Sequence, residues 1–163
     1  MSTATMATIA KVSKVNCETT RFGEIEVNED LVITLPNGII GFEESRRYVV
    51  LHLHEKSPFR WLQSLDDGSL AFPIIDPWDF KPDYAPTISD ADAVQLRINR
   101  DSPKLAFAIV TISRQEPRRI TANLLGPIVI NPATRLGKQV IVTDEQYTTK
   151  HSIMDEISRQ AAA

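Results

Sequence analysis

The segment KLAFAIVTI (104–112) decides the fold class, because it is the most apolar run of the chain and consists largely of β-branched and aromatic residues. It predicts a central strand. The run RITANLLGPIVIN (119–131) predicts a strand, a bend at Gly126-Pro127 and a second strand. KQVIVTD (138–144) predicts one more strand, so the second half of the chain is expected to be mainly β-structure.

The first half of the chain has the same character, with short apolar runs separated by turn signals such as Asp66-Asp67-Gly68. The predicted strands there lie in TTRFGEIEV (19–27), DLVITLPNG (30–38), RYVVLHL (47–53), FRWLQSL (59–65) and LAFPII (70–75). Ser89 is expected to cap a short helix over residues 90–98. Roughly eight or nine strands without a regular alternation with helices predict an all-β domain, a mainly antiparallel β-barrel-like fold or sandwich with one or two short helices.

The 163 residues are enough for one domain with a sizeable core. We expect a flexible N-terminal arm over residues 1–17, which is rich in Thr, Ala and Ser, a single β domain over residues 18–153 and a C-terminal tail over residues 154–163.

The sequence favours a cytoplasmic location. No apolar run reaches the roughly 18 residues of a membrane-spanning helix, and the N-terminus does not resemble a secretion signal. The single cysteine, Cys17, excludes an internal disulfide and is typical of a reducing compartment.

Familiar catalytic motifs are absent from the sequence. His52 and His54 lie on one face of a predicted strand, but a metal site would need a third ligand such as His151 or Glu55. We therefore expect neither a metal nor another cofactor. The alternative is a small β-barrel enzyme that uses the regions of Asp76 and His52.

Charge is distributed unevenly along the chain. Residues 66–92 contain seven aspartates and one lysine, whereas residues 93–143 contain eight Lys or Arg and two acidic residues. These charges either balance each other across the fold or form an acidic face for a basic protein partner. An RNA-binding barrel would require the arginines of residues 97–119 to converge with exposed aromatic side chains, but the aromatics lie in the acidic half.

The aromatic residues allow two interpretations. Trp61 alternates with Phe59 and is interpreted as a core residue. Trp78 and Tyr84 belong to types that are frequent both in cores and at interfaces, so both assignments remain open.

Several runs together resemble the flagellar assembly factor family FliW, in the family's order and over about residues 18–153. They are PNGIIGFEE (36–44), FRWLQSLDDGSLAFPIIDPWDFKPDY (59–84), TANLLGPIVIN (121–131) and QVIV with QYTTKHSI (139–153). The resemblance implies a cytoplasmic bacterial protein that is not an enzyme. It also implies two competing partners, flagellin, bound through its terminal segments before export, and the RNA-binding translational regulator CsrA. Binding to CsrA would relieve its repression of flagellin synthesis allosterically, away from the RNA-binding face.

The segment AFPIIDPWDFKPDY (71–84) is expected to form the rim of the recognition surface, because its prolines keep it at a sheet edge or in a loop. The predicted partner-binding residues are Gln63, Asp66, Asp67, Asp76, Trp78, Asp79 and Tyr84. We expect a monomer that binds neither nucleic acid nor membrane directly.

Overall fold

The computed structural model describes residues 13–162, which contain eleven β-strands and two α-helices. The strands are β1 (Lys14–Thr19), β2 (Gly23–Asn28), β3 (Ile33–Thr34), β4 (Arg47–Leu51), β5 (Phe59–Ser64), β6 (Ala71–Ile75), β7 (Leu105–Ile112), β8 (Ile120–Ala122), β9 (Ile128–Asn131), β10 (Leu136–Gln139) and β11 (His151–Ser152). The helices are α1 (Asp90–Leu96) and α2 (Ile153–Ala162), and 3₁₀ turns cover Glu29–Leu31 and Pro77–Asp79.

Seven of these strands close into a barrel. Strands β3 to β7 follow one another, β7 also pairs with β9, β9 pairs with β10, and β10 returns to β3. All of these pairings are antiparallel except that of β3 with β10, which is parallel and joins Thr34 to Leu136. Strand β8 extends the sheet from β7, and β11 pairs with β8. The expected all-β, barrel-like fold with short helices is confirmed.

Apolar side chains fill the barrel and cover two parts of its outer face. The interior cluster includes Ile33, Leu35, Tyr48, Leu62, Ile74, Phe107, Ile128 and Ile130. A larger cluster lies outside β6, β7 and β9, where α1, the segment after β6 and the residues after β10 cover Ile75, Ala108 and Val129. The hairpin of β1 and β2 covers Val49 of β4 from the other side. Alternation along each strand therefore supplies both an inner and an outer core.

The local predictions agree with the structure over most of the chain. KLAFAIVTI contains the central strand β7, buried between its neighbours. Helix α1 begins after Ser89, whose hydroxyl accepts a hydrogen bond from the N–H of Asp92 at 3.1 Å. The helix ends at Leu96 because Arg97 has a left-handed backbone conformation with φ of 57°.

Several boundaries differ from the sequence prediction, and the strand expected over 30–38 is only β3 (Ile33–Thr34). Residues 14–17, predicted as part of the flexible arm, belong to β1, while residues 1–12 of that arm lie outside the described residues. The predicted tail is largely helix α2, with Glu156 buried. The strand expected at 138–144 is β10, which ends at Gln139. Beyond it the chain still lies beside residues 125–127, since the N–H groups of Val140 and Val142 donate to the carbonyls of Pro127 and Leu125, both at 2.9 Å.

Candidate partner-binding site

The segment after β6 turns sharply at Asp76. The carboxylate of Asp76 accepts a hydrogen bond from the N–H of Trp78 at 2.9 Å and so caps the 3₁₀ turn that Pro77 begins. Burial raises the pKa of Asp76 above its usual value, although this hydrogen bond opposes the shift. Asp76 therefore shapes the turn, while the side chains of Trp78 and Asp79 lie exposed on it.

Tyr84 lies in the core. Only 3% of it is exposed, and its hydroxyl donates a hydrogen bond to the carbonyl of Leu124 at 2.7 Å. Its ring packs edge to face against the ring of Tyr147, with the two ring centroids 4.7 Å apart. Burial raises the pKa of the Tyr84 phenol far above its usual range. The hydroxyl and the ring of Tyr84 both make contacts inside the domain, so Tyr84 maintains the fold. The prediction that Tyr84 directly contacts a binding protein does not agree with this burial.

Trp78 borders an open groove between the segment after β6 and helix α1. The indole N–H donates to the carbonyl of Tyr84 at 2.8 Å, which fixes the ring at the groove edge with 37% of the residue exposed. Val94 of α1 is 76% exposed on the same groove, and Pro86 and Ile88 add to its apolar lining. The groove, called here the Trp78 groove, encloses about 770 Å³.

Asp66 and Asp67 lie at the other end of β6, in the turn between β5 and β6. Burial opposes ionisation of Asp66, but hydrogen bonds from the N–H groups of Arg46 and Arg47 and from the Arg47 guanidinium at 2.8 Å lower its pKa. A hydrogen bond from the Ser69 hydroxyl lowers the pKa of Asp67. Both side chains reach the surface, and both also hold the turn.

Gln63 is fully buried beside the same turn. Its amide nitrogen donates to the carbonyls of Ser64, Gly68 and Leu70, at 2.8, 3.2 and 3.2 Å. The predicted contact of Gln63 with a binding protein does not agree with this burial either. The buried amide instead stabilises the turn between β5 and β6 through these hydrogen bonds.

An acidic cleft of about 600 Å³ lies at this end of the barrel. Glu43 and Glu44 bring two further carboxylates to Asp66 and Asp67, and Phe42 lies beside them with 43% of the residue exposed. Glu43 and Glu44 were not predicted as site residues, although they end the run PNGIIGFEE (36–44) that carries part of the family resemblance. The predicted site is thus divided, with one acidic group at each end of β6.

The residues considered for other functions do not form one site. His52 Nε2 lies 2.9 Å from the carbonyl of Ser57, and residues 13–161 contain no group of three or more side chains suited to hold a metal ion. Arg100 and Lys104 line the Trp78 groove, whereas Arg114 and Arg118 line a different cleft that contains Trp61. Trp61 itself is half-buried and does not belong to the described core clusters.

The fold and its open clefts define a β-barrel protein without a metal-ligating cluster in its described residues. The sequence profile of the FliW protein family matches residues 16–153. Within residues 13–162, no helix is long and apolar enough to cross a membrane.

Similar proteins extend over nearly the same part of the chain. The flagellar assembly factor FliW of Geobacter sulfurreducens is 41% identical over 147 residues, which are 90% of this chain and 91% of that protein. The flagellar assembly factor FliW of Natranaerobius thermophilus is 40% identical over 140 residues, 86% of this chain and 93% of that protein. A crystal structure of the flagellar assembly factor FliW superposes with a TM-score of 0.76 at 37% identity, covering 86% of this chain and 96% of that one.

The chain therefore belongs to the FliW family of flagellar assembly factors, which are not enzymes.

Proposed function

We propose that the protein acts in the cytoplasm as a partner switch, binding flagellin before export and, when flagellin is absent, binding CsrA and antagonising its repression of flagellin translation allosterically. Membership of the FliW family supports this role. The observation that carries it is the Trp78 groove, an open groove with apolar side chains from Trp78, Pro86, Ile88 and Val94 and charged side chains from Asp90, Arg100 and Lys104.

The Trp78 groove suits a terminal segment of flagellin. Such segments are amphipathic, and an amphipathic helix binds by placing its apolar face in a groove of this kind. Trp78 is held by its own hydrogen bond to Tyr84, so little side-chain entropy is lost when a ligand covers it. Val94 offers an apolar side chain on the facing helix.

The acidic surfaces suit CsrA, because an RNA-binding protein carries basic surface. Asp79 is exposed and directly follows Trp78 in the same 3₁₀ turn, while Asp66 and Asp67 contribute to the acidic cleft. Since Asp79 follows Trp78, which borders the proposed flagellin groove, one partner bound there would hinder the other. Competition between the partners then follows from shared surface.

The first experiment is calorimetric titration of the full chain with purified flagellin and with CsrA from the same organism, followed by addition of flagellin to the complex with CsrA. We expect binding of both and displacement of CsrA by flagellin. Binding of flagellin alone would remove the regulatory part of the proposal. Binding of neither protein would overturn it.

Two substitutions with matched controls locate the surfaces. Val94→Glu places a charge in the groove and should weaken flagellin binding by about tenfold or more. Ala91→Glu makes the same change on the same helix outside the groove and should leave the affinity unchanged. Asp79→Lys should weaken CsrA binding and flatten its dependence on salt, whereas Asp30→Lys, a change at an exposed aspartate that lines neither the Trp78 groove nor the acidic cleft, should not.

Reversing Asp76 together with Asp79 is a less specific test, because Asp76 also caps the turn. Equal effects of each substitution and its control would place the binding surfaces elsewhere on the protein.

A further inference from the structure

The turn over residues 39–42, between β3 and β4, places apolar side chains at the surface. The carbonyl of Ile39 accepts a hydrogen bond from the N–H of Phe42 at 2.7 Å, and Gly41 has φ of 91°, as the third position of a type II turn requires. Ile40 occupies the second position with 67% of the residue exposed, and 43% of Phe42 is exposed beside it. Turns mostly carry Gly, Pro, Asn, Asp and Ser, so these two side chains are unusual there.

The turn is fixed against the barrel. The N–H of Ile40 donates to the side-chain oxygen of Gln139 at 2.9 Å, and the side-chain nitrogen of Gln139 donates to the carbonyl of Gly126 at 3.2 Å. The ring of Phe42 packs edge to face against the ring of Phe72 on β6, with the ring centroids 5.2 Å apart. Because these contacts already order the turn, a protein that covers it loses little conformational entropy there.

An apolar cleft of about 380 Å³ begins at the first half of this turn. Its apolar lining residues are Ile39, Ile40, Phe72, Ile109, Leu125 and Ile141. Ile141 is 52% exposed, so the exposed apolar surface extends from the turn to the residues after β10. Polar residues such as Thr149 and Lys150 complete the lining. A contiguous apolar patch with a polar border is typical of a binding surface.

The acidic cleft begins at the second half of the same turn. Phe42 lines it together with Glu43, Glu44, Asp66 and Asp67. Arg47 pairs with Asp66 at 2.8 Å. Glu43 and Glu44, however, are exposed and form no ion pair with the side chains of the described residues 13–161.

The charge beside the turn identifies the kind of protein that can cover it. Lys or Arg side chains of a partner would complement the carboxylates of Glu43 and Glu44. A second copy that used the same face would bring these carboxylates against their equivalents, and like charges in contact oppose association. Charge complementarity therefore favours a different protein with basic residues next to apolar ones.

We propose that the turn over residues 39–42, with the apolar cleft and the acidic cleft that begin at it, binds a segment of a partner protein in which an apolar run adjoins a run of Lys or Arg. This site is called here the Phe42 surface. The apolar run covers Ile40, Phe42 and Ile141, and the basic run meets Glu43 and Glu44. The inference rests on the proposed function only where that function assigns the acidic cleft to a basic protein. The Phe42 surface shares no lining residue with the Trp78 groove.

The test measures fluorescence anisotropy of a labelled decapeptide, in which two Gly separate four Leu from four Lys, during titration with the full chain. We expect binding that weakens as the salt concentration rises. A peptide with Glu in place of Lys tests the charge, and a peptide with Ser in place of Leu tests the apolar contact. Both should bind at least about tenfold more weakly.

Variants of the chain locate the apolar part of the site. Ile40→Ser removes an exposed apolar side chain without changing the charge and should weaken peptide binding by about tenfold. Leu31→Ser makes a similar change at a residue that is 51% exposed and lines neither cleft, so it should leave the affinity unchanged. Circular dichroism checks that both variants are folded.

A second pair of variants locates the acidic part. Glu43→Lys with Glu44→Lys should weaken peptide binding and remove most of its dependence on salt. Glu29→Lys with Glu55→Lys changes the net charge equally at exposed residues outside both clefts and should have little effect.

Three results would overturn the inference: no binding of the Leu–Lys peptide, equal binding of the Ser peptide, or equal losses in the variants and their controls. Self-association of the wild type that Ile40→Ser abolishes, measured by sedimentation velocity, would assign the turn to a second copy instead.

Failure of this inference is distinguishable from failure of the proposed function. Peptide binding by a chain that binds neither flagellin nor CsrA would overturn the proposed function alone. No peptide binding by a chain that binds CsrA would overturn this inference alone. Val94→Glu should leave peptide binding unchanged, which separates the Phe42 surface from the Trp78 groove.

Discussion

Replacing Tyr84 with phenylalanine separates a role in the fold from a role in binding. The change deletes the hydroxyl that donates to the carbonyl of Leu124 at 2.7 Å and keeps the ring. Both residues are buried, so no water replaces the lost donor and the carbonyl of Leu124 loses this partner. An unsatisfied buried group of this kind costs about 1–3 kcal/mol. In a protein of this size each kcal/mol lowers Tm by about 2–4 °C.

Tyr147→Phe is the matched control. Its hydroxyl accepts a hydrogen bond from the N–H of Ala85 at 2.8 Å, but Ala85 is exposed and water can satisfy the N–H instead. Tyr147→Phe should therefore cost less than Tyr84→Phe in urea unfolding followed by circular dichroism. At a temperature where both variants are folded, Tyr84→Phe should change flagellin and CsrA affinity by less than about twofold.

The pH dependence of the free energy of unfolding provides a second test of the role of Tyr84. The pKa of Tyr84 is raised in the folded protein, so its contribution to stability is complete below the phenol's ordinary pKa of about 10. It is lost as the pH rises above that value. The stability difference between the wild type and Tyr84→Phe should therefore stay constant up to about pH 10 and shrink as the pH rises further. Unchanged stability of Tyr84→Phe, or weaker partner binding by a fully stable variant, would refute the assignment of Tyr84 to the core.

Two further substitutions test local structure. Asp66→Asn should lower the urea midpoint at pH 7, because it removes the charged partner of Arg47. The pKa of Asp66 is lowered in the folded protein, so the difference in stability from the wild type should disappear as the pH falls from about 5 to 2. A difference that stays constant over this range would contradict the prediction. Ser89→Ala should destabilise the protein by about 1 kcal/mol through loss of the cap of α1, and Ser89→Asp should restore the stability; equal stability of all three proteins would show that the cap contributes nothing.

Local signals in the sequence were sufficient for the fold class. β7 was predicted because an apolar run needs no distant partner to be recognised, and α1 because its capping residue stands next to it. Closure of the barrel was not predictable in this way. It depends on Thr34 meeting Leu136, a contact between two short strands far apart in the chain that neither strand's pattern indicates.

The candidate site was predicted in part for the same reason. Trp78 and Asp79 were placed at the surface because Pro77 keeps their segment out of the sheet. Gln63 was not recognised as buried, since its burial depends on the turn carbonyls that it binds and on hairpin β1–β2, which covers the neighbouring strand. Residue type did not reveal that the Tyr84 hydroxyl would meet Leu124, because that contact needs the bend before β9.

The parallel pairing of β3 with β10 also sets an order of assembly during synthesis. Strands β3 to β7 leave the ribosome first, and the two strands that complete the ring come from residues after 127. Until these residues emerge, the nascent chain has an open sheet with β3 as an unpaired edge, which is the kind of surface that associates with other chains. A messenger truncated before that point would therefore yield an open sheet that cannot become a ring.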